Sequence, residues 1–135
     1  MIDIHSHILP GIDDGAKTIN DSIAMAKHVL EQGVTTIIYR IPFISCSVVG
    51  GFGKKIQKFS HQLIEADLTH FIASDAHNVS TRGSKMKEAS ELIEKKFGKS
   101  VLEMFHANAQ SIVEGTYIET HTPQQIRKKK FLGLF

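Results

Sequence analysis

The alternation of apolar and polar residues over positions 1–8 predicts a β-strand. Ile2 and Ile4 alternate with polar residues as far as His7, and successive side chains of a strand point to opposite faces. Proline and glycine interrupt residues 9–15, which predicts a loop directly after this strand.

Residues 18–38 predict a helix followed by a second strand. Thr18 and Asp21 have the spacing of a helix capping box. Apolar residues then recur at helical intervals as far as Gly33, a residue that often ends a helix. The β-branched run over 34–38 indicates a buried parallel strand. The chain therefore begins as a strand–loop–helix–strand unit.

The second half of the chain returns to regular patterns after residues 39–53, which show no clear period. The predicted elements are a helix over 54–66, a strand over 70–74, a helix from Met86 to about Gly98, a short apolar segment over 101–105 and a last helix capped by Asn108 and running through Val113. Strands that alternate with helices predict an α/β fold with about four parallel strands.

Composition limits the kind of protein. The length of 135 residues fits one domain. A net charge of +2 is too small to indicate nucleic-acid binding, and we interpret the basic cluster over 127–130 as a solvated tail. No apolar run approaches the roughly 20 residues of a membrane span, and the N-terminus lacks the features of a signal peptide. The single cysteine, Cys46, cannot form an internal disulfide, so we expect a cytoplasmic protein.

Two pairs of metal-ligand residues indicate a metal site. His5 and His7 are two residues apart on a predicted strand, so both imidazoles project to one face. Asp75 and His77 repeat this spacing at the end of another predicted strand, and Asp14 lies on the first loop. Each pair alone arises often by chance, but the ends of parallel strands are where α/β proteins build their sites. Imidazole and carboxylate together favour Zn, Mn or Fe. We assign no role to the other histidines, His28, His61, His70, His106 and His121.

Other catalytic motifs are incomplete. A cysteine phosphatase loop would need an arginine six positions after Cys46, where Phe52 stands. A nucleotide phosphate loop over 48–55 would need a glycine at Val48 and a serine or threonine at Lys55. No serine, histidine and aspartate have a spacing that favours one triad over another. Metal chemistry is the remaining interpretation.

The opening MIDIHSHILPGIDDG resembles the PHP (polymerase and histidinol phosphatase) metallo-hydrolases. It is most similar to the CpsB/CapC tyrosine-protein phosphatases of bacterial capsule and exopolysaccharide biosynthesis. The His-Ser-His, Asp-Asp-Gly and Ser-Asp-Ala-His motifs stand in the family's order. The likeness also includes residues 21–24, 33–38, 52–55, 73–78 and 131–135.

This resemblance implies a fold, a chemistry and a partner. The fold is a distorted β/α barrel with a divalent metal cluster, often Mn, at the ends of the strands. The ligands implied here are His5, His7, Asp14, Asp75 and His77, and Asp14 also has a catalytic role in proton transfer. The reaction is hydrolysis of phosphotyrosine by metal-activated water. The substrate is a phosphotyrosine protein such as a capsule-locus tyrosine kinase, and the oligomeric state is left open.

The middle of the family pattern is missing. A further ligand histidine, a bridging glutamate, and a later histidine and arginine have no counterpart between Tyr39 and Phe52, apart from Arg40. A complete β/α barrel takes about 250 residues, so we expect one truncated domain over 1–135 with a deletion junction within 39–51. Two alternatives remain open: a catalytically inactive remnant of the family, and another PHP phosphoesterase such as a histidinol-phosphate phosphatase.

Overall fold

A computed structural model describes residues 1–39 and 46–126 of the protein. Its regular elements are β1 (Ile2–Ser6), α1 (Ile19–Glu31), β2 (Thr36–Tyr39), a 3₁₀ helix (Cys46–Val49), α2 (Lys54–Glu65), α3 (Met86–Phe97) and α4 (Lys99–Glu114). Residues 40–45, inside the predicted junction, and the basic cluster over 127–130 lie outside the described residues. Within the described part, no helix has the length and apolar composition needed to cross a membrane.

The first three elements form the predicted strand–helix–strand unit. β1 and β2 pair in parallel, with Ile2 opposite Thr36 and Asp3 opposite Ile37. α1 makes the connection between them, because parallel strands cannot be joined by a tight turn. The prediction of these elements is confirmed.

The segment 70–76 is not the strand that its sequence predicts. It runs beside β1, where the Asp75 amide donates to the His5 carbonyl at 2.9 Å and the His7 amide to the Ala76 carbonyl at 2.8 Å. The only bridge in this segment pairs Ser6 with Ala76. The Ser74 amide donates to the Asp3 side chain instead of to the β1 backbone, which interrupts a regular ladder. The described residues therefore contain a two-stranded sheet, and the expectation of about four strands was wrong for this part of the chain.

The last helix is longer than predicted and has no cap at Asn108. α4 is one continuous helix that includes both the apolar segment 101–105 and the predicted final helix. Asn108 is buried within it, donates to the carbonyls of His70 and Glu119, and accepts from the Glu119 amide. Its polar side chain therefore holds two neighbouring segments against α4, and the prediction of a cap was wrong.

The main core lies where α3 packs against α4 and where α2 and α3 pack against the 3₁₀ helix. Burial of apolar surface here provides most of the drive for folding. The buried members are Val29, Val34, Val48, Ile64, Ile72, Met86, Ala89, Ile93, Met104 and Phe105. A smaller cluster joins Ile4 of β1, Ala73 of the segment 70–76 and Ala109 of α4. The segment is thus held against β1 by packing as well as by hydrogen bonds.

The predicted capping box at the start of α1 is confirmed. The Asp21 amide donates to the Thr18 hydroxyl at 3.2 Å, and the Thr18 amide donates to the Asp21 carboxylate at 2.9 Å. The Thr18 hydroxyl also donates to this carboxylate, and these hydrogen bonds lower the pKa of Asp21.

Thr18→Ala is expected to lower the free energy of unfolding by about 1 kcal/mol, because it removes the N-cap oxygen. Chemical denaturation measures this loss, with Thr122→Ala, an exposed threonine outside the helices, as the control. The pKa of Asp21 is lowered in the folded protein, so its ionised carboxylate stabilises the fold at pH values above the ordinary carboxyl pKa of 3.8. This contribution is lost as the pH falls through the folded-state pKa. The difference between wild type and variant should therefore shrink in acid; an unchanged difference would contradict the role of Asp21.

Candidate metal centre

The structure brings all five predicted ligands to one place. β1 provides His5, and His7 follows directly after its last residue, Ser6. The segment beside β1 provides Asp75 and His77, and the first loop provides Asp14. They form two groups that share His7, and the ligand atoms of each group lie within 4.8 Å of one another. Residues separated by about 70 positions in the sequence thus converge because two chain segments end side by side.

The first group consists of His5, His7 and Asp75. The Asp75 Oδ1 lies 3.1 Å from the Nε2 of His5 and 3.2 Å from the Nε2 of His7. The two Nε2 atoms are 3.3 Å apart. Three potential ligand atoms therefore surround one point.

The second group consists of His7, Asp14 and His77. The Asp14 Oδ1 lies 3.2 Å from the Nε2 of His77. The rings of His7 and His77 stack with their centroids 3.7 Å apart. The His77 side chain is buried, whereas that of Asp14 is 70% exposed, so this group opens to solvent through Asp14.

Hydrogen bonds orient two of the imidazoles for metal binding. The Nδ1 of His7 lies 2.8 Å from the Asp13 carboxylate, and the Nδ1 of His77 lies 2.8 Å from the Asp75 carbonyl. Because a carbonyl only accepts, the His77 Nδ1 carries a proton, and in the neutral ring the lone pair that can bind a cation is then on the Nε2, which faces Asp14. A carboxylate partner favours the same tautomer for His7, and such partners are typical of metal-bound histidines.

The first loop reaches the site by a close approach to β1. The Ala16 amide donates to the His7 carbonyl at 3.1 Å, and a Cβ at Gly15 would lie 2.3 Å from that carbonyl oxygen. Only glycine fits at this position.

Asp75 has a φ of 50°, in the left-handed region that aspartate adopts more readily than most residues.

Arg82 is a site residue that the sequence reasoning missed. Its Nη1 donates to Asp14 at 2.9 Å, and its Nη2 lies 3.9 Å from Asp75. The hydrogen bond from Arg82 is the main cause that lowers the pKa of Asp14. The Asn78 side chain accepts from the Arg82 amide and closes the loop between His77 and Arg82. The available signal was its position five residues after His77, in the same loop.

Asp3 and Asp13 were also missed as contributors to the site. Asp3 is buried and accepts hydrogen bonds from His5 and Ser74. Burial raises the pKa of the Asp3 carboxyl, against the lowering effect of these hydrogen bonds. Asp13 contacts His7, as described above. The signal for Asp3 was its place in the same strand alternation as His5 and His7.

The donor set fits a divalent transition metal. Ligand atoms about 2.0–2.1 Å from a common Zn²⁺ at tetrahedral angles lie roughly 3.3–3.4 Å apart, close to the separations in the first group. Imidazole nitrogen and carboxylate oxygen together suit Mn, Fe and Zn. The Nδ1 of His5 is buried without a hydrogen-bond partner among the described residues, so this ring lacks the second contact that His7 and His77 have.

Comparison with known proteins identifies the family. The profile of the capsular polysaccharide synthesis family CpsB/CapC matches residues 1–45 and 40–114. The chain belongs to the CpsB/CapC family. The match does not favour the histidinol-phosphate phosphatase alternative.

Named members of the CpsB/CapC family are longer than this chain. Tyrosine-protein phosphatase YwqE of Bacillus subtilis is 36% identical over 119 residues, which are 88% of this chain and 45% of YwqE. The putative tyrosine-protein phosphatase CapC of Staphylococcus aureus is 34% identical over 89 residues, 65% of this chain and 35% of CapC. The chain thus spans less than half the length of these relatives.

The fold is also similar to a solved one. A structure from work on YwqE of Bacillus subtilis and CpsB of Streptococcus pneumoniae, described there as unique metal-dependent tyrosine phosphatases, matches with a TM-score of 0.89. The match covers 95% of this chain and 100% of the other, at 24% identity. It supports the mixed α/β architecture of the chain.

Gly15→Ala is expected to lower the free energy of unfolding by about 3 kcal/mol, because the added Cβ collides with the His7 backbone. Gly11→Ala is the control in the same loop: its φ is 71° but its Cβ would meet open space, so only a backbone cost of about 1–2 kcal/mol is expected. Chemical denaturation compares the two. Equal losses would show that the loop does not need its close approach to β1.

Proposed function

We propose that this protein is a metal-dependent protein-tyrosine phosphatase of the CpsB/CapC type. The observation that carries the proposal is the convergence of His5, His7, Asp14, Asp75 and His77 from three separate segments. Membership in a family whose curated relatives are named tyrosine-protein phosphatases supports the choice of substrate.

The five side chains would hold divalent ions, with Mn as the first expectation and Zn or Fe as alternatives. When bound, such ions polarise phosphoryl oxygens and lower the pKa of bound water. His5, His7 and Asp75 form one set of ligands, and His7, Asp14 and His77 form the other. Asp13 orients His7 by accepting from its Nδ1.

Asp14 and Arg82 are placed for roles toward the substrate. Asp14 has the most exposed side chain of the five candidate ligands, and it can transfer a proton at its carboxylate oxygen. Arg82 has a guanidinium beside Asp14 and Asp75, and such a group donates paired hydrogen bonds to a phosphoryl group. These two residues would bind and orient the substrate at the open side of the site.

We further propose that the chain lacks an internal part of the family domain, with the junction within 39–51. The family profile matches in two segments that overlap at 40–45, and the chain spans less than half of YwqE. The candidate ligands all come from the two regions on either side of this junction. The natural substrate would be a phosphotyrosine protein such as a capsule-locus tyrosine kinase, and the single cysteine agrees with a cytoplasmic location.

Adding Mn²⁺ is expected to stabilise the wild-type protein, because an ion that binds only the folded state adds about 2.7 kcal/mol at 100 times its Kd. Thermal melting with and without Mn²⁺ measures the effect, and removing the ion with a chelator should reverse it. His7→Ala should abolish the response, since His7 belongs to both ligand groups. His121→Ala is the matched control, because His121 contacts Asp67 and Glu119 outside the site. A response that survives in His7→Ala would place the ion elsewhere.

The chain is expected to release phosphate from a phosphotyrosine peptide slowly, and only with metal. Loss of several groups that stabilise the transition state costs factors of about 100 or more each. Insertion of the corresponding YwqE segment at the junction should therefore raise the rate at least about 100-fold. Phosphate release is measured against a blank of metal alone.

The same assay separates the phosphatase from the inactive remnant. His7→Ala in the restored chain is the control that ties any activity to this site. A restored chain that binds metal but releases no phosphate would refute the phosphatase. Activity in the restored chain alone would identify the present chain as a remnant.

A further inference from the structure

The buried side chain of Asp3 connects the two chain segments that carry the ligand pairs. Its side chain is fully buried, and its Oδ1 accepts from the Ser74 amide at 2.8 Å and from the His5 amide at 3.2 Å. The Ser74 hydroxyl donates to the Asp3 Oδ2. Asp3 and Ser74 are 71 positions apart in the chain, so these bonds connect two distant segments.

The side-chain contacts between the two segments follow one another in the same order along both. Asp3 contacts Ser74, His5 contacts Asp75, and the His7 ring stacks on the His77 ring. Asp3, His5 and His7 are spaced two residues apart, the period of side chains on one face of a strand. The buried contact at Asp3 is therefore the innermost of three, and the two outer ones belong to the candidate ligands.

The Ser74 hydroxyl completes this connection. Its oxygen also accepts from the Ala76 amide at 3.1 Å and lies 3.2 Å from the His5 carbonyl. The Ser74 hydroxyl thus contacts the amide that follows Asp75 and the carbonyl of His5. A change at Ser74 would move the peptide units that carry the ligands.

We propose that Asp3 and Ser74 are positioning residues, whose buried hydrogen bonds set the approach of the pair His5 and His7 to the pair Asp75 and His77. The proposal rests on the proposed function in so far as these pairs hold a metal ion. Neither residue belongs to a candidate ligand group. Their contribution is to hold the ligand pairs at the separation that an ion requires, and residues behind metal ligands typically change metal affinity 10–100-fold when they are replaced.

Replacing a buried serine that has only a structural role would also lower the stability of the protein. The test therefore needs a second buried serine as a matched control. Ser60 is buried, its hydroxyl donates to the Ile56 carbonyl at 3.1 Å, and its oxygen lies 2.6 Å from the Ser47 hydroxyl oxygen. It has no contact with a candidate ligand. Ser60→Ala therefore removes a buried hydroxyl without touching the ligand segments.

The first readout is the geometry of the metal-free protein. Proton NMR of the wild type should show a nuclear Overhauser effect between the rings of His7 and His77, whose centroids are 3.7 Å apart. Ser74→Ala and Asp3→Asn should weaken or abolish it, whereas Ser60→Ala should preserve it. If Asp3→Asn does not fold, Ser74→Ala, which keeps the amide contact to Asp3, decides the test.

The second readout is Mn²⁺ affinity by calorimetry, well below the melting temperature of every variant. We expect a Kd at least 10-fold weaker in Ser74→Ala and an unchanged Kd in Ser60→Ala. An unchanged ring contact and Kd in Ser74→Ala, or equal losses in Ser60→Ala, would overturn the positioning role. A wild type that binds no Mn²⁺ would count against the proposed function, and the ring contact would still decide the role of Asp3 and Ser74.

Discussion

The site depends on the hydrogen bonds that hold the segment 74–77 alongside β1. Two backbone bonds connect the segment to His5 and His7, and the Asp3 carboxylate takes the place of a third. The result resembles a strand pairing only at one residue, Ala76. This arrangement matters because each segment carries two ligand-type side chains, and neither pair is sufficient to hold a metal alone.

The electrostatics of the site follow from this proximity. Three imidazoles and the carboxylates of Asp14 and Asp75 occupy a small volume, and Arg82 lies at its open side. Hydrogen bonds to Asp13 and to the Asp75 carbonyl direct the Nε2 atoms of His7 and His77 toward the other candidate ligands. A divalent cation would relieve the crowding of lone pairs that this geometry produces, which is the physical reason to expect one.

The chain spans less than half the length of its named relatives. Both ligand pairs lie in the regions matched by the family profile on either side of residues 40–45. The loop that carries Asp14 and the loop that carries Arg82 meet at the open side of the site, where the two side chains form an ion pair.

Local pattern was a good guide where neighbouring residues decide the structure. The capping box at Thr18, the helices α1 to α3 and the pair β1 and β2 were predicted because helix caps and side-chain periods are local properties. The prediction failed at 70–74 and at Asn108. At the first place the buried Asp3 side chain accepts from the Ser74 amide, and at the second the buried Asn108 side chain bonds to backbone groups of His70 and Glu119. No local period reveals such contacts between separate segments.

For the site, the sequence by itself determined which residue types are available and that His5 and His7 share one face of a strand. The same reasoning pointed to Asp14, Asp75 and His77. Only the tertiary structure decided that these residues meet, that Asp13 and Arg82 join them, and that Asp3 holds the two halves together. The physical reason is that a two-residue spacing sets the direction of side chains within one segment, whereas the distance between segments is set by packing and by buried hydrogen bonds across the fold.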